Sequence, residues 1–144
     1  VAKPCEWSDV LMPLNVMDAH YHSFQKQVLP KLNERGIAAL GMKSLGGNGS
    51  IVSGAGIPVA DALRYVLSLP IASLVSGIDS EKVLDQNLAI VRQFKPLSES
   101  ERRAIEDRTV ALAGDGRYEL FKSSKQFDGP VHRKQHGFPT ERNI

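Results

Sequence analysis

Three short apolar runs, each followed by a stretch of helical period, constrain this chain more than any other feature. The runs occupy residues 10–17, 37–42 and 71–76. Each is short enough for a strand, and none alternates strictly between polar and apolar residues. Near-continuous apolar strands belong to sheets covered on both faces, which is the condition of parallel sheets. Pro13 is an irregularity in the first run, because proline has no N–H to give to a ladder. The stretches between the runs read as helices. Residues 23–35 carry Phe24, Val28, Leu29 and Leu32 at helical spacing, with Ser23 as cap and Gly36 as stop. Pro30 inside this stretch should kink the helix or begin a new turn. Pro58 opens a second helix, whose apolar face is Ala62, Leu63, Val66 and Leu67. Asp79 or Ser80 caps a third, with Val83, Leu84, Leu88, Val91 and Phe94 expected to face inward. Ser98 and Glu101 form a capping box that opens the last helix, which runs to about Ala113 and stops at Gly114-Asp115-Gly116. The reading divides the chain into a folded part, 1–121, and an irregular polar tail, 122–144.

The order is β-α-β-α-β-α-α, an α/β class with right-handed crossovers and a parallel sheet. Three parallel strands leave two unpaired edges, which native proteins normally pair or cover. A (β/α)8 barrel takes eight strands and roughly 250 residues. This chain of 144 residues supplies three of the eight. The alternative is a small open sheet that completes itself by self-association. The chain also begins at Val1 with neither an initiator Met nor a targeting pattern, which fits the C-terminal part of something longer.

Composition narrows the function classes. Hydrophobic residues make up 42% and charged residues 24%, so the chain is globular rather than disordered. No apolar stretch approaches the roughly 20 residues of a membrane span. Net charge is +2, from 18 basic and 16 acidic residues, too even for a nucleic-acid or acidic-membrane partner. The basic residues around His132-Arg133-Lys134-Gln135-His136 read as a solvated tail. Cys5 is the single cysteine, so no internal disulfide forms and a reducing, cytoplasmic setting is expected. Trp7 is expected to pack against the domain.

Two local patterns carry chemistry. Gly46, Gly47, Gly49, Gly54 and Gly56 follow the second run and precede the Pro58 helix. Backbone N–H groups in such a turn can cradle phosphate. The stretch lacks the GK[ST] ending of a P-loop and has no G-x-G-x-x-G, so a flexible connection is the default reading. Asp18-Ala19-His20-Tyr21-His22 is the second pattern. If the first strand reaches it, Asp18, His20 and His22 share one side, and two imidazoles at that spacing can chelate zinc. A metal-dependent hydrolase needs further ligands on later strands, and only Asp79 is available there. The plainer reading is a set of polar side chains at a strand end. His132 and His136 are four apart, but Gly129-Pro130 and Gly137 flank them and argue against a stable helix.

Leu14-Asn15-Val16-Met17-Asp18, Gly41-Met42-Lys43-Ser44-Leu45-Gly46-Gly47 and Ala62-Leu63-Arg64-Tyr65-Val66-Leu67-Ser68 occur in that order. Val75-Ser76-Gly77-Ile78-Asp79-Ser80 and Leu84-Asp85-Gln86-Asn87-Leu88 follow them. Together these segments resemble the C-terminal portion of the aldo-keto reductases, (β/α)8-barrel enzymes that use a nicotinamide cofactor. The resemblance runs from about Val10 to Asn87. It implies the last three βα units of a TIM barrel, plus a C-terminal helix and tail. It implies hydride transfer between NAD(P)H and an aldehyde or ketone, so the expected partners are the dinucleotide and a small carbonyl substrate.

The resemblance also implies site residues. Asn15 would meet the nicotinamide carboxamide. Met42 stands where many members have an aromatic ring. Lys43, Ser44, Leu45 and Gly46 would cover the pyrophosphate. Gly77 and Ser80 would contact the adenosine phosphate end, and Gln86 and Asn87 the adenine. Val83 stands where NADPH-selective members place an Arg, and Val cannot neutralise a 2′-phosphate. The family's catalytic Tyr, Asp, Lys and His lie on earlier strands, and Tyr21, Tyr65 and Tyr118 do not match them. No catalytic residue is therefore assigned in this chain. Two other functions remain open: a self-associating, non-catalytic nucleotide-binding module, and a metal-dependent hydrolase using His20 and His22.

Overall fold

The computed structural model describes residues 7–124 and 129–140. Its sheet has three parallel strands in the order β1 (Asp9–Pro13), β2 (Ala38–Met42) and β3 (Ser73–Leu74). Asp9 stands opposite Ala38 and Pro13 opposite Met42, while only Leu40 and Gly41 meet β3, at Ser73 and Leu74. The fold is mixed α/β with a small parallel sheet. No helix among the described residues is long and apolar enough to cross a membrane.

Proline chemistry shapes the first half. Leu14 donates its N–H to Met42 at 2.9 Å, continuing the ladder one step past β1. Donors alternate sides along a strand, so the missing N–H of Pro13 falls on the open edge, where it costs no ladder bond. Between β1 and β2, two short helices replace the single helix expected over 23–35. Ser23 caps α1 (Phe24–Gln27) by accepting the N–H of Lys26. The chain restarts at α2 (Leu29–Glu34) with Pro30 in its first turn, where no N–H is required.

The strand expected over 10–17 ends early. The Asn15 side-chain oxygen accepts the N–H of Met17 at 2.8 Å and of Asp18 at 3.1 Å. That local turn competes with the ladder and begins a 3-10 turn over Asp18–His20. Leu14, Val16 and Met17 are still fully buried, but as a loop.

The core joins these residues to Leu29, Leu32, Ile51, Tyr65, Val66 and Ile105. α3 (Ser50–Ser53) brings Ile51, and α4 (Val59–Leu67) brings Tyr65 and Val66. α6 (Glu99–Ala113) starts at the expected Ser98/Glu101 capping box and buries Ile105, Thr109 and Ala113.

α5 (Glu81–Arg92) corrects an expectation. Leu84, Leu88 and Val91 do not face inward, at 39%, 38% and 55% exposed, while Val83 and Phe94 are half-buried and Asn87 is the one buried residue of the helix. An apolar stripe needs a partner surface, and the two-residue β3 offers little sheet for α5 to cover. Trp7 is 62% exposed rather than packed.

The last segment is more ordered than a polar tail. α7 (Leu120–Ser123) runs across the boundary placed at 121/122, and α8 (Pro130–Gln135) forms around His132, with Pro130 in its first turn. His132 and His136 both lie exposed.

Candidate functional site

The ends of β2 and β3 open into a cavity of about 540 Å3. On one side stands the Gly-rich loop. Lys43 follows β2 in the left-handed region, at φ 55, and its carbonyl accepts the N–H of Gly46 at 2.9 Å. Gly46 has φ +84, and a Cβ there would lie 2.9 Å from the Ser50 hydroxyl and 3.1 Å from Ile51. Glycine is therefore needed for both its backbone conformation and the close approach of α3. On the other side, β3 runs into Val75-Ser76-Gly77-Ile78-Asp79. Ser80 then caps α5 by accepting the N–H of Val83. The first turn of that twelve-residue helix thus borders the cavity, with its partial positive charge.

Of the residues expected in the site, Lys43, Ser44, Leu45 and Gly77 line this cavity. Gly46 lines a neighbouring cavity of about 250 Å3. Met42 ends β2 and is half-buried, while Ser80 and Gln86 are exposed at and beyond the start of α5. Asn87 is buried. It donates its amide to the Ser76 hydroxyl at 3.1 Å, and its side-chain oxygen has no hydrogen-bond partner among the described residues.

Asn15 lies elsewhere. Its oxygen is taken by the turn at Met17 and Asp18, and its amide donates to Glu119 at 2.9 Å. It is fully buried, and both ends of its amide are committed within the protein.

Asn15 instead belongs to a cluster that the sequence did not reveal. The Lys122 ammonium, 3% exposed, donates to Asp18 at 2.6 Å, to Glu119 at 2.8 Å and to the Tyr21 carbonyl at 2.8 Å. Asp18 also accepts from the Ser23 hydroxyl and from the N–H groups of Phe24 and Gln25, so it caps α1 as well. No spacing rule links Lys122 to Asp18, 104 positions away.

Burial pushes the Glu119 carboxyl above its ordinary value of 4.5, against the lowering effect of the bonds from Lys122 and Asn15. A carboxyl raised in the folded state favours folding while protonated, and that gain disappears as pH rises through its folded pKa. Glu119→Gln should therefore flatten the pH dependence above about 4.5. Melting temperatures of the two proteins across pH 4–8 check this, and parallel curves would refute it.

The strand on which the two-histidine pattern depends ends at Pro13, before it reaches His20. His20 sits on the 3-10 turn and His22 at φ 39, so they do not alternate along a strand. The Nε2 of His20 lies 3.0 Å from the Thr109 hydroxyl, which itself faces the carbonyls of Val16, Ile105 and Glu106. The Thr109 hydroxyl has one proton to share among these three carbonyls and the His20 ring. Burial lowers the His20 pKa, against the raising influence of Glu106. Among the described residues, no group of three His, Cys, Asp or Glu could hold a metal ion.

Compared with protein-family models, curated proteins and solved structures, the chain matches none.

Proposed function

We propose that this chain is the cofactor-binding, C-terminal part of an NAD(P)-dependent aldo-keto reductase, contributing the last three βα units of a (β/α)8 barrel. The observation that carries this reading is the 540 Å3 cavity. It lies at the C-terminal ends of adjacent parallel strands, between a Gly-rich turn and a helix N-terminus. In α/β folds that is where phosphate-bearing ligands bind.

Four of the ten expected residues, Lys43, Ser44, Leu45 and Gly77, line the cavity where a dinucleotide would lie. Lys43 has no carboxylate partner among the described residues and would meet the pyrophosphate, with Ser44 and Leu45 beside it. Asn87 is buried behind the cavity and holds the hydroxyl of Ser76, which does line it. Asn15 does not fit, because holding a carboxamide would break its bond to Glu119. The cavity carries Asp79 and Val83 where a 2′-phosphate would need a cation, which favours NADH over NADPH. When bound, the cofactor supplies the hydride. The chain's own residues bind and orient it, in a cytoplasmic setting. The carbonyl substrate and the proton-donating groups belong to units beyond these three.

The exposed stripe Leu84, Leu88 and Val91 supports this reading, since further barrel units would cover it. The same stripe favours a second reading, in which copies of the chain associate through it and bind a nucleotide without reacting. Sedimentation separates the two: a monomer at tens of micromolar removes the second.

Nicotinamide fluorescence tests the first. Titration with NADH should saturate, and Lys43→Asn should weaken binding about tenfold, the effect of losing one charge-assisted contact. Asn tolerates the left-handed backbone at that position. Absence of a response to both NADH and NADPH, with circular dichroism intact, would sink the proposal.

A further inference from the structure

The segment from Asp115 to Ser123 lies against the turn after β1 and the Gly-rich loop, and it forms one wall of the 250 Å3 cavity that Gly46 lines. The segment is held at several points. Lys122 and Glu119 enter the buried cluster with Asp18 and Asn15. Gly116 lies under the Tyr21 ring, where a Cβ would come within 2.8 Å of two ring atoms. Tyr118 packs on Gly54 in the same manner, with its ring 3.1 Å from where a Cβ would stand. The cavity between segment and loop is thus largely preformed, as ligand sites usually are.

Its charge is specific. Two cations line it, Lys43 and Arg117. Arg117 is already neutralised by Asp115, through bonds from Nε at 2.8 and 3.0 Å and a contact from its guanidinium at 2.6 Å. Lys43 has no carboxylate partner among the described residues. Its stem lies along Gly47, and its ammonium stands 5.6 Å from the centre of the Phe121 ring. Among the described residues, the cavity therefore presents one uncompensated positive charge beside an apolar wall of Tyr118, Leu120 and Phe121. Lys43 also holds φ 55, a costly backbone for a residue without the local hydrogen bonding of Asn or Asp.

We propose that this cavity binds a small organic monoanion, a carboxylate with an aromatic or aliphatic body. The carboxylate meets the Lys43 ammonium, and the body lies on Phe121 and Tyr118. A dianion would leave one charge unmatched, and a neutral molecule would leave Lys43 unused. The volume of about 250 Å3 suits a ligand below ordinary drug size. Lys43 borders both cavities, so a carboxylate here and a dinucleotide pyrophosphate in the larger cavity would compete for the same ammonium.

The test uses the whole chain without nucleotide. Benzoate is titrated while the backbone amides are followed by NMR, with benzamide as the neutral probe of the same shape. Benzoate should saturate, shift the amides of Lys43, Gly46, Gly47, Tyr118 and Phe121, and bind at least tenfold tighter than benzamide. Lys43→Asn should abolish the difference between the two probes. Arg117→Gln should change benzoate affinity by less than threefold. Phe121→Leu should weaken both probes alike, so it reports on the wall without touching the charge. Equal binding of the two probes, shifts confined to other parts of the chain, or a benzoate affinity unchanged in Lys43→Asn would overturn the proposal. Failure of NADH to bind leaves these outcomes untouched.

Discussion

Lys122→Met should destabilise the protein by about 3–5 kcal/mol, a large share of what a domain of this size has to lose. The substitution preserves much of the volume and removes the charge. It leaves Asp18 and Glu119, 0% and 1% exposed at the side chain, facing each other without the ammonium between them. It also releases the Tyr21 carbonyl and detaches α7 from the turn after β1. Urea denaturation measures the loss. The double variant Lys122→Met/Glu119→Gln should recover part of it, because one of the stranded charges has gone. A single-variant loss below about 1 kcal/mol would mean that the pair behaves like a surface ion pair.

Tyr65→Ala is the second large effect, also about 3–5 kcal/mol, from the cavity left by a fully buried aromatic ring. Tyr65→Phe separates packing from hydrogen bonding. The hydroxyl donates to Glu106 at 2.5 Å and contacts Gln25 at 2.8 Å, tying α4 to α6 and α1. Burial pushes this phenol well above its ordinary value, so it stays protonated throughout the working range. Removing it should cost about 1–3 kcal/mol, because two partners are left partly unsatisfied. Calorimetry of the two variants gives the comparison. Equal losses would mean that the ring contributes nothing beyond its hydroxyl.

Much of the fold can be read locally. The Ser98/Glu101 capping box, the Ser23 cap and the Pro30 restart all depend on neighbours within four or five residues. The parallel sheet follows from three apolar runs separated by helical stretches. The Gly-rich turn was legible because Gly46 is needed by geometry that lies inside its own loop. The missed features all involve distance along the chain. Asn15 looked available because nothing nearby shows that Glu119 will take its amide. The strand over 10–17 looked longer because an Asn that bonds its own backbone is indistinguishable, by hydrophobicity, from one in a ladder.

The Leu84, Leu88 and Val91 stripe has the period of a buried face, and periodicity reports that a face is apolar without reporting what covers it. Lys122 is the converse case, a lysine in a polar stretch that reads as solvated yet sits at 3% exposure between two carboxylates. Caps, turns and strand order were written in adjacent residues, because their hydrogen bonds and sterics are short-range. The fate of each apolar face and each charge was settled by which distant partner the folded chain brings within a few ångströms. Desolvation and pairing energies exist only once those partners have met.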